Sequence, residues 1–95
     1  MPRVELARAA VEDLDALIRT HSLPSDTKAR VVRSLRGLEQ FPLMGPELTG
    51  RWNGMRFVLG PWRWMFLVYA HLEDGDRVVV VTIQDARASA AATGG

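Results

Sequence analysis

Apolar residues recur at spacings of three and four through the first part of the chain. Val11, Leu14, Leu17 and Ile18 share one face of a helix over residues 9–21, with Glu12, Asp13, Asp15 and Arg19 on the other. Residues 4–7 read as a short leading strand. Ser22-Leu23-Pro24-Ser25-Asp26 breaks the first helix and supplies a cap, Ser25 or Asp26, for a second helix reaching about residue 40. Val31, Leu35 and Leu38 form its apolar stripe, while Arg30, Arg33 and Arg36 face away. Pro42 and Gly45-Pro46 end it. So short a link predicts an antiparallel helical hairpin.

The period then changes to two. Asn53-Gly54, Gly60-Pro61 and Asp74-Gly75 separate runs rich in β-branched and aromatic residues at 55–59, 62–71 and 77–83. With residues 48–52 as a first strand, these predict a four-stranded antiparallel meander. The fold class expected is α+β, a small antiparallel sheet with an N-terminal helical hairpin on one face. One domain over residues 1–88 and a flexible tail at 89–95 are expected.

Two-residue turns at all three breaks assign every strand residue to a face. One face collects Leu48, Trp52, Met55, Phe57, Leu59, Trp62, Trp64, Phe66, Val68, Ala70, Val79, Val81 and Ile83. It carries no charge, so it is the expected seat for the helices. The other face carries Thr49, Arg51, Arg56, Val58, Arg63, Met65, Leu67, Tyr69, Val78, Val80, Thr82 and Gln84. On this register Arg51 lies across from Arg56, with Arg63 a diagonal step away. Like charges so placed repel, and an anion between them would relieve it. Gln84 faces Met65, with Arg87 within reach. Leu67, Tyr69 and Val80 at the other end are expected to form an uncovered apolar patch, a partner surface. Outer-face arginines also serve simply as solvated guards against edge aggregation.

Composition narrows the classes. The chain has 95 residues, 24% of them charged, a formal net charge of +1 and no cysteine, which excludes disulfides, thiolate metal sites and a cysteine nucleophile. Of its twelve basic residues only Lys28 is lysine; the rest are arginine, the planar fork suited to phosphate and carboxylate. From 48 to 72 there are three arginines and no acid. The first residues carry no apolar leader and no run could span a bilayer, so the cytoplasm is the expected compartment. Neither His21 nor His71 stands at metal-ligand spacing, and no Gly-rich phosphate loop or DNA-reading motif occurs.

The helix hairpin followed by Leu38-Glu39-Gln40-Phe41-Pro42, Glu47-Leu48-Thr49-Gly50, Gly54-Met55-Arg56-Phe57-Val58-Leu59-Gly60, Trp62-Arg63-Trp64-Met65-Phe66-Leu67-Val68-Tyr69 and a Val-rich strand into Asp85-Ala86-Arg87 resembles the RelE/ParE superfamily of type II toxins. The resemblance runs from Val4 to about Ser89. It implies either a metal-independent endoribonuclease that cuts mRNA on the ribosome, as in RelE-like members, or a DNA gyrase poison, as in ParE-like members. In the RNA-cutting branch the phosphate-gripping positions fall on Arg56, Arg63 and Arg87, with Arg51 and Gln84 as expected further phosphate contacts. A second basic position of that branch falls on Val58, and its C-terminal tyrosine would fall near Thr93. Arginine is a poor general base, which leaves the phosphate clamp without an obvious proton acceptor, Asp85 being the nearby candidate. A catalytically weakened toxin retained as an antitoxin-binding module is the third reading. All three imply a cognate antitoxin over Leu67, Tyr69 and Val80, no cofactor and no metal, with any operator binding supplied by the partner.

Overall fold

The computed structural model describes residues 2–87; the tail expected at 89–95 lies outside them. Helix α1 (Arg8–His21) starts and stops where its stripe does, and buries Ala10 and Leu14. Ser22 adopts the left-handed conformation and donates its N–H to the Ile18 carbonyl, closing the last turn just after His21. Helix α2 (Thr27–Ser34) is shorter than its pattern predicts, because the chain tightens into a 3₁₀ turn at Arg36–Glu39. Asp26 occupies the cap position, but its carboxylate accepts from Arg30 Nε at 3.0 Å rather than from the helix N–H groups. Thr27 is instead tied to the Pro24 carbonyl by its hydroxyl, at 2.6 Å.

Four strands, β1 (Arg3–Leu6), β2 (Arg56–Leu59), β3 (Met65–Leu72) and β4 (Arg77–Asp85), form one sheet in the order β1-β4-β3-β2. Strands β2, β3 and β4 are the expected antiparallel meander. The fourth strand is β1, which pairs parallel to β4, whereas residues 48–52 form no strand. There only Glu47 bridges Arg56, and a 3₁₀ turn takes Gly50–Trp52.

Within β2, β3 and β4, register differs from the two-residue model in two places. Leu59 pairs with Phe66, not with Trp62, so Gly60-Pro61 opens a wider loop closed by Gly60 N–H to the Met65 carbonyl, 2.9 Å. The Asp74-Gly75 turn does set Leu72 opposite Arg77 and Ala70 opposite Val79. Beyond Tyr69–Val80, however, a bulge leaves Val81 without a partner, and Gln84 faces Phe66 instead of Met65.

The helices cover the face opposite to the one expected. Met65, Leu67, Tyr69, Val78, Val80 and Ile83 pack with Ala10, Leu14, Val31, Leu35 and Leu38. Each fully buried large side chain among them stabilises the fold by ~1.5–3 kcal/mol. Leu67, Tyr69 and Val80 are 0% exposed, so they are core and offer no uncovered patch. Phe57 and Phe66 stack on the bare side, centroids 4.5 Å apart. Where β1 ends, Asp13 of α1 continues the cover of the β4 edge by accepting from Ile83 N–H at 3.2 Å and Thr82 Oγ1 at 2.5 Å.

The buried Tyr69 hydroxyl accepts a hydrogen bond from Gly45 N–H at 3.1 Å. Burial pushes its phenol above the usual value of 10.0, against smaller lowering effects of the Gly45 bond and the Arg56 charge. A raised phenol means that above pH 10 the unfolded chain loses this proton first. The contribution is thus complete below 10 and falls away as pH climbs through the folded value. Tyr69→Phe should cost about 1–2 kcal/mol at pH 7 by stranding the Gly45 N–H, yet flatten the alkaline limb of stability. Denaturant midpoints between pH 7 and 11 would show both effects; an unchanged alkaline limb would refute the assignment.

Candidate functional site

The five arginine and glutamine positions expected to grip phosphate do not converge. Arg56 begins β2 opposite Tyr69, on the helix-covered side at its margin. Its guanidinium donates to the Gly45 carbonyl at 2.7 Å, to the Leu43 carbonyl at 3.2 Å and to Glu47 Oε1 at 3.2 Å. Three acceptors saturate most of the fork, so Arg56 is a clamp that binds residues 43–47 to the sheet. Arg51 belongs to the same end, in the 3₁₀ turn, with its guanidinium 5.4 Å from the Trp52 ring centre.

Arg63 and Arg87 lie at the opposite end. Met65 and Asp85 form the last rung of β3 and β4, four residues along the strand from Tyr69, or about 13 Å. Arg63 is exposed in the turn before that rung, and Arg87 follows it. Gln84 is half-buried nearby, and its amide donates to Thr82 Oγ1 at 2.7 Å. The anion-seeking trio of Arg51, Arg56 and Arg63 is therefore split between two ends of the sheet.

What does assemble at the Met65–Asp85 end includes two residues that sequence reasoning passed over. The last turn of α1 brings His21 to Asp85, Nε2 to Oδ2 at 3.2 Å. The His21 ring leans on Trp64 with centroids 5.0 Å apart, and Arg87 lies over Trp64 with Cζ 4.3 Å from the ring centre. Arg87 also donates its Nε and its backbone N–H to Asp85, at 3.1 and 2.8 Å. Those bonds from Arg87, its side chain foremost, hold the Asp85 carboxyl below the usual 3.8, with a lesser contribution from His21 and against partial burial.

The chemistry of this group is specific. With Nε2 turned to the Asp85 carboxylate, the ring leaves Nδ1 as the nitrogen that can take a proton. Arg87, over the same Trp64 ring, supplies permanent positive charge beside it. No spacing rule connects residues 21, 64 and 85; the available signal was a histidine ending a helix, where the dipole favours a cation. Among the described residues no group of three His, Asp or Glu side chains is arranged to hold a metal ion, and no helix is long and apolar enough to cross a membrane.

The fold is thus a four-stranded mixed sheet with both helices packed on one face, with Arg51 and Arg56 at one end of the sheet and Arg63 and Arg87 at the other. Residues 4–89 match the family described as the ParE toxin of type II toxin-antitoxin systems, parDE. The chain belongs to this family, within the RelE/ParE superfamily. Solved structures share the fold. The toxin-antitoxin complex RelBE2 from Mycobacterium tuberculosis superposes with a TM-score of 0.66 at 24% identity, covering 90% of this chain and 99% of that one. The chromosomal ParDE system from P. aeruginosa gives 0.66 at 20% identity, with 90% and 96% covered. YafQ from E. coli gives 0.62 at 16% identity, with 99% and 100% covered. No curated protein sequence matches the chain.

Proposed function

We propose that this toxin cuts RNA, with His21 as the proton acceptor, Asp85 as the residue that orients it, and Arg63 and Arg87 as the phosphate-holding cations. The observation that carries this reading is the His21–Asp85 contact at 3.2 Å beside an arginine stacked on Trp64. It provides the base that the arginines themselves lack.

The reaction is transfer of a phosphoryl group within the strand. A ribose 2′-oxygen bonds to the adjacent phosphorus as its proton passes to His21 Nδ1. The bond from phosphorus to the 5′-oxygen breaks, and that oxygen takes a proton from water. The products are a 2′,3′-cyclic phosphate and a 5′-hydroxyl end. The arginines align the phosphate and stabilise the charge that builds on its oxygens.

Arg63 is exposed and makes no hydrogen bond or salt bridge among the described residues, so Arg63→Ala should relieve growth arrest without moving the melting temperature. Primer extension on messages isolated during induction should show the cleavage pattern fade with it. A folded Arg63→Ala variant that stays fully toxic would remove Arg63 from the site.

A second reading, inhibition of DNA gyrase by binding alone, is favoured by Arg56. The resemblance puts this residue in the phosphate grip, yet its fork is spent on Leu43, Gly45 and Glu47. Val58 leaves the second basic position of that grip uncharged. Supercoiling inhibition without cleaved message in a translating extract selects this reading.

A cognate antitoxin in the cytoplasm is the partner in either case. Its apolar residues have Phe41, Leu43 and Met44 to cover, 64%, 57% and 57% exposed. Operator binding is assigned to that partner.

A further inference from the structure

Aromatic and guanidinium groups continue beyond the proposed cleavage site. The Trp64 ring lies beside Trp62, centroids 6.1 Å apart and planes within 20°. Arg30 of α2 then lies over Trp62, with its Cζ 5.9 Å from the ring centre. One turn further, Arg33 and Ser34 join Arg30, Asp26 and Pro61 around an open depression of about 380 Å³. The result is a ladder, Arg30–Trp62–Trp64–Arg87, running from the second helix across the β2–β3 loop to the end of β4.

Stacked arginine–aromatic pairs of this kind occur roughly once per 70–80 residues. Two here share one connected surface, which argues for more than incidental packing. Both indoles rest against the core, so their positions are set before any ligand arrives. Charge points the same way. Arg30, Arg33, Arg63 and Arg87 face two acids, Asp26 and Asp85, each already engaged by an arginine. Permanent cations interleaved with flat π-surfaces suit a single strand, whose phosphates meet the former while its bases stack on indole or guanidinium planes. An acidic peptide would use the charges but leave the stacking surface idle.

We propose that this ladder is a track for single-stranded RNA, with Arg30, Arg33 and Trp62 holding nucleotides upstream or downstream of the one cut. Its role as a substrate track rests on the RNA-cutting reading above; its binding does not require that His21 be the base.

The test is the binding of a fluorescein-labelled oligouridylate to the purified full chain, read by anisotropy and by quenching of tryptophan emission. The double variant Arg30→Ala, Arg33→Ala should weaken binding at least tenfold at 0.1 M salt. It should also flatten the dependence of log affinity on log salt by about 1.4, two lost phosphate contacts at roughly 0.7 each. Trp62→Phe, which keeps an aromatic ring, should lower the quench while preserving the fold. His21→Gln should leave oligonucleotide affinity within twofold while cleavage is lost, so the fate of the track and of the proposed base are read separately. Unchanged affinity in the double variant overturns the track, whatever happens to cleavage. So does equal affinity for a polyglutamate peptide or for a DNA duplex of the same length, since either would reduce the surface to bare charge.

Discussion

Gly45→Ala is expected to cost about 3–5 kcal/mol, a large share of the roughly 5–15 kcal/mol that holds a domain of this size together. Gly45 is buried where residues 43–47 run against β2. A methyl group there would meet the Phe57 carbonyl carbon at 2.9 Å and its oxygen closer still, with the Tyr69 hydroxyl at 3.1 Å. Two of those atoms are strand backbone and cannot rotate aside. Relief requires the segment to lift from β2, which also loosens the bond from Arg56 to the Gly45 carbonyl and the bond from Gly45 N–H to Tyr69. The melting temperature should fall by on the order of 15–30 °C. Gly54→Ala is the control. It too replaces a glycine, but no atom stands within 4 Å and only the positive φ of 89° is strained, so about 1–2 kcal/mol is expected. Equal losses for the two variants would show that close approach to Phe57 is not what Gly45 is for.

His21→Gln is expected to slow RNA cleavage by ~10²–10⁴-fold, the usual contribution of a positioned base. Glutamine retains a hydrogen-bond donor for Asp85, so the melting temperature should move little. Asp85→Asn should give a smaller loss, because the imidazole keeps an acceptor for Nε2 but no longer faces a negative charge. The Asp85 contribution depends on pH. The hydrogen bond from the Arg87 side chain holds Asp85 below 3.8. Its stabilisation is therefore present above 3.8 and is lost only as pH falls through the lower folded value. Cleavage at the wild-type rate by a folded His21→Gln chain would assign the base elsewhere.

The two expected results draw on different amounts of sequence information. Gly45-Pro46 was readable as a helix stop, but its contact with β2 depends on residues 43–47 returning to the sheet. No local pattern encodes that return. The nuclease-like reading fared unevenly for the same reason. Arg63 and Arg87 do lie at the same sheet end, whereas Arg56 was placed beside Arg63 by a tight Gly60-Pro61 turn, and the wider loop there sets Arg56 opposite Tyr69 instead. The true neighbour of β2 on its other side is a single bridge at Glu47, and it turns Arg56 into a structural clamp. The ladder of Trp62 and Trp64 was hidden because a tight turn at Gly60-Pro61 would have threaded both into a strand.

Periodicity by itself determined α1, the helical start of α2, the three-stranded meander and the Asp74-Gly75 register as far as Tyr69–Val80, since each depends on residues a few positions apart. Tertiary structure alone decided the parallel pairing of β1, the Val81 bulge, the meeting of His21 with Asp85, and which side of the sheet the helices cover. Both faces of β3 and β4 are apolar through their middles, so alternation could sort side chains into two sets but could not rank them. The choice was made by packing volume between layers, a quantity that exists only once distant segments of the chain are in contact.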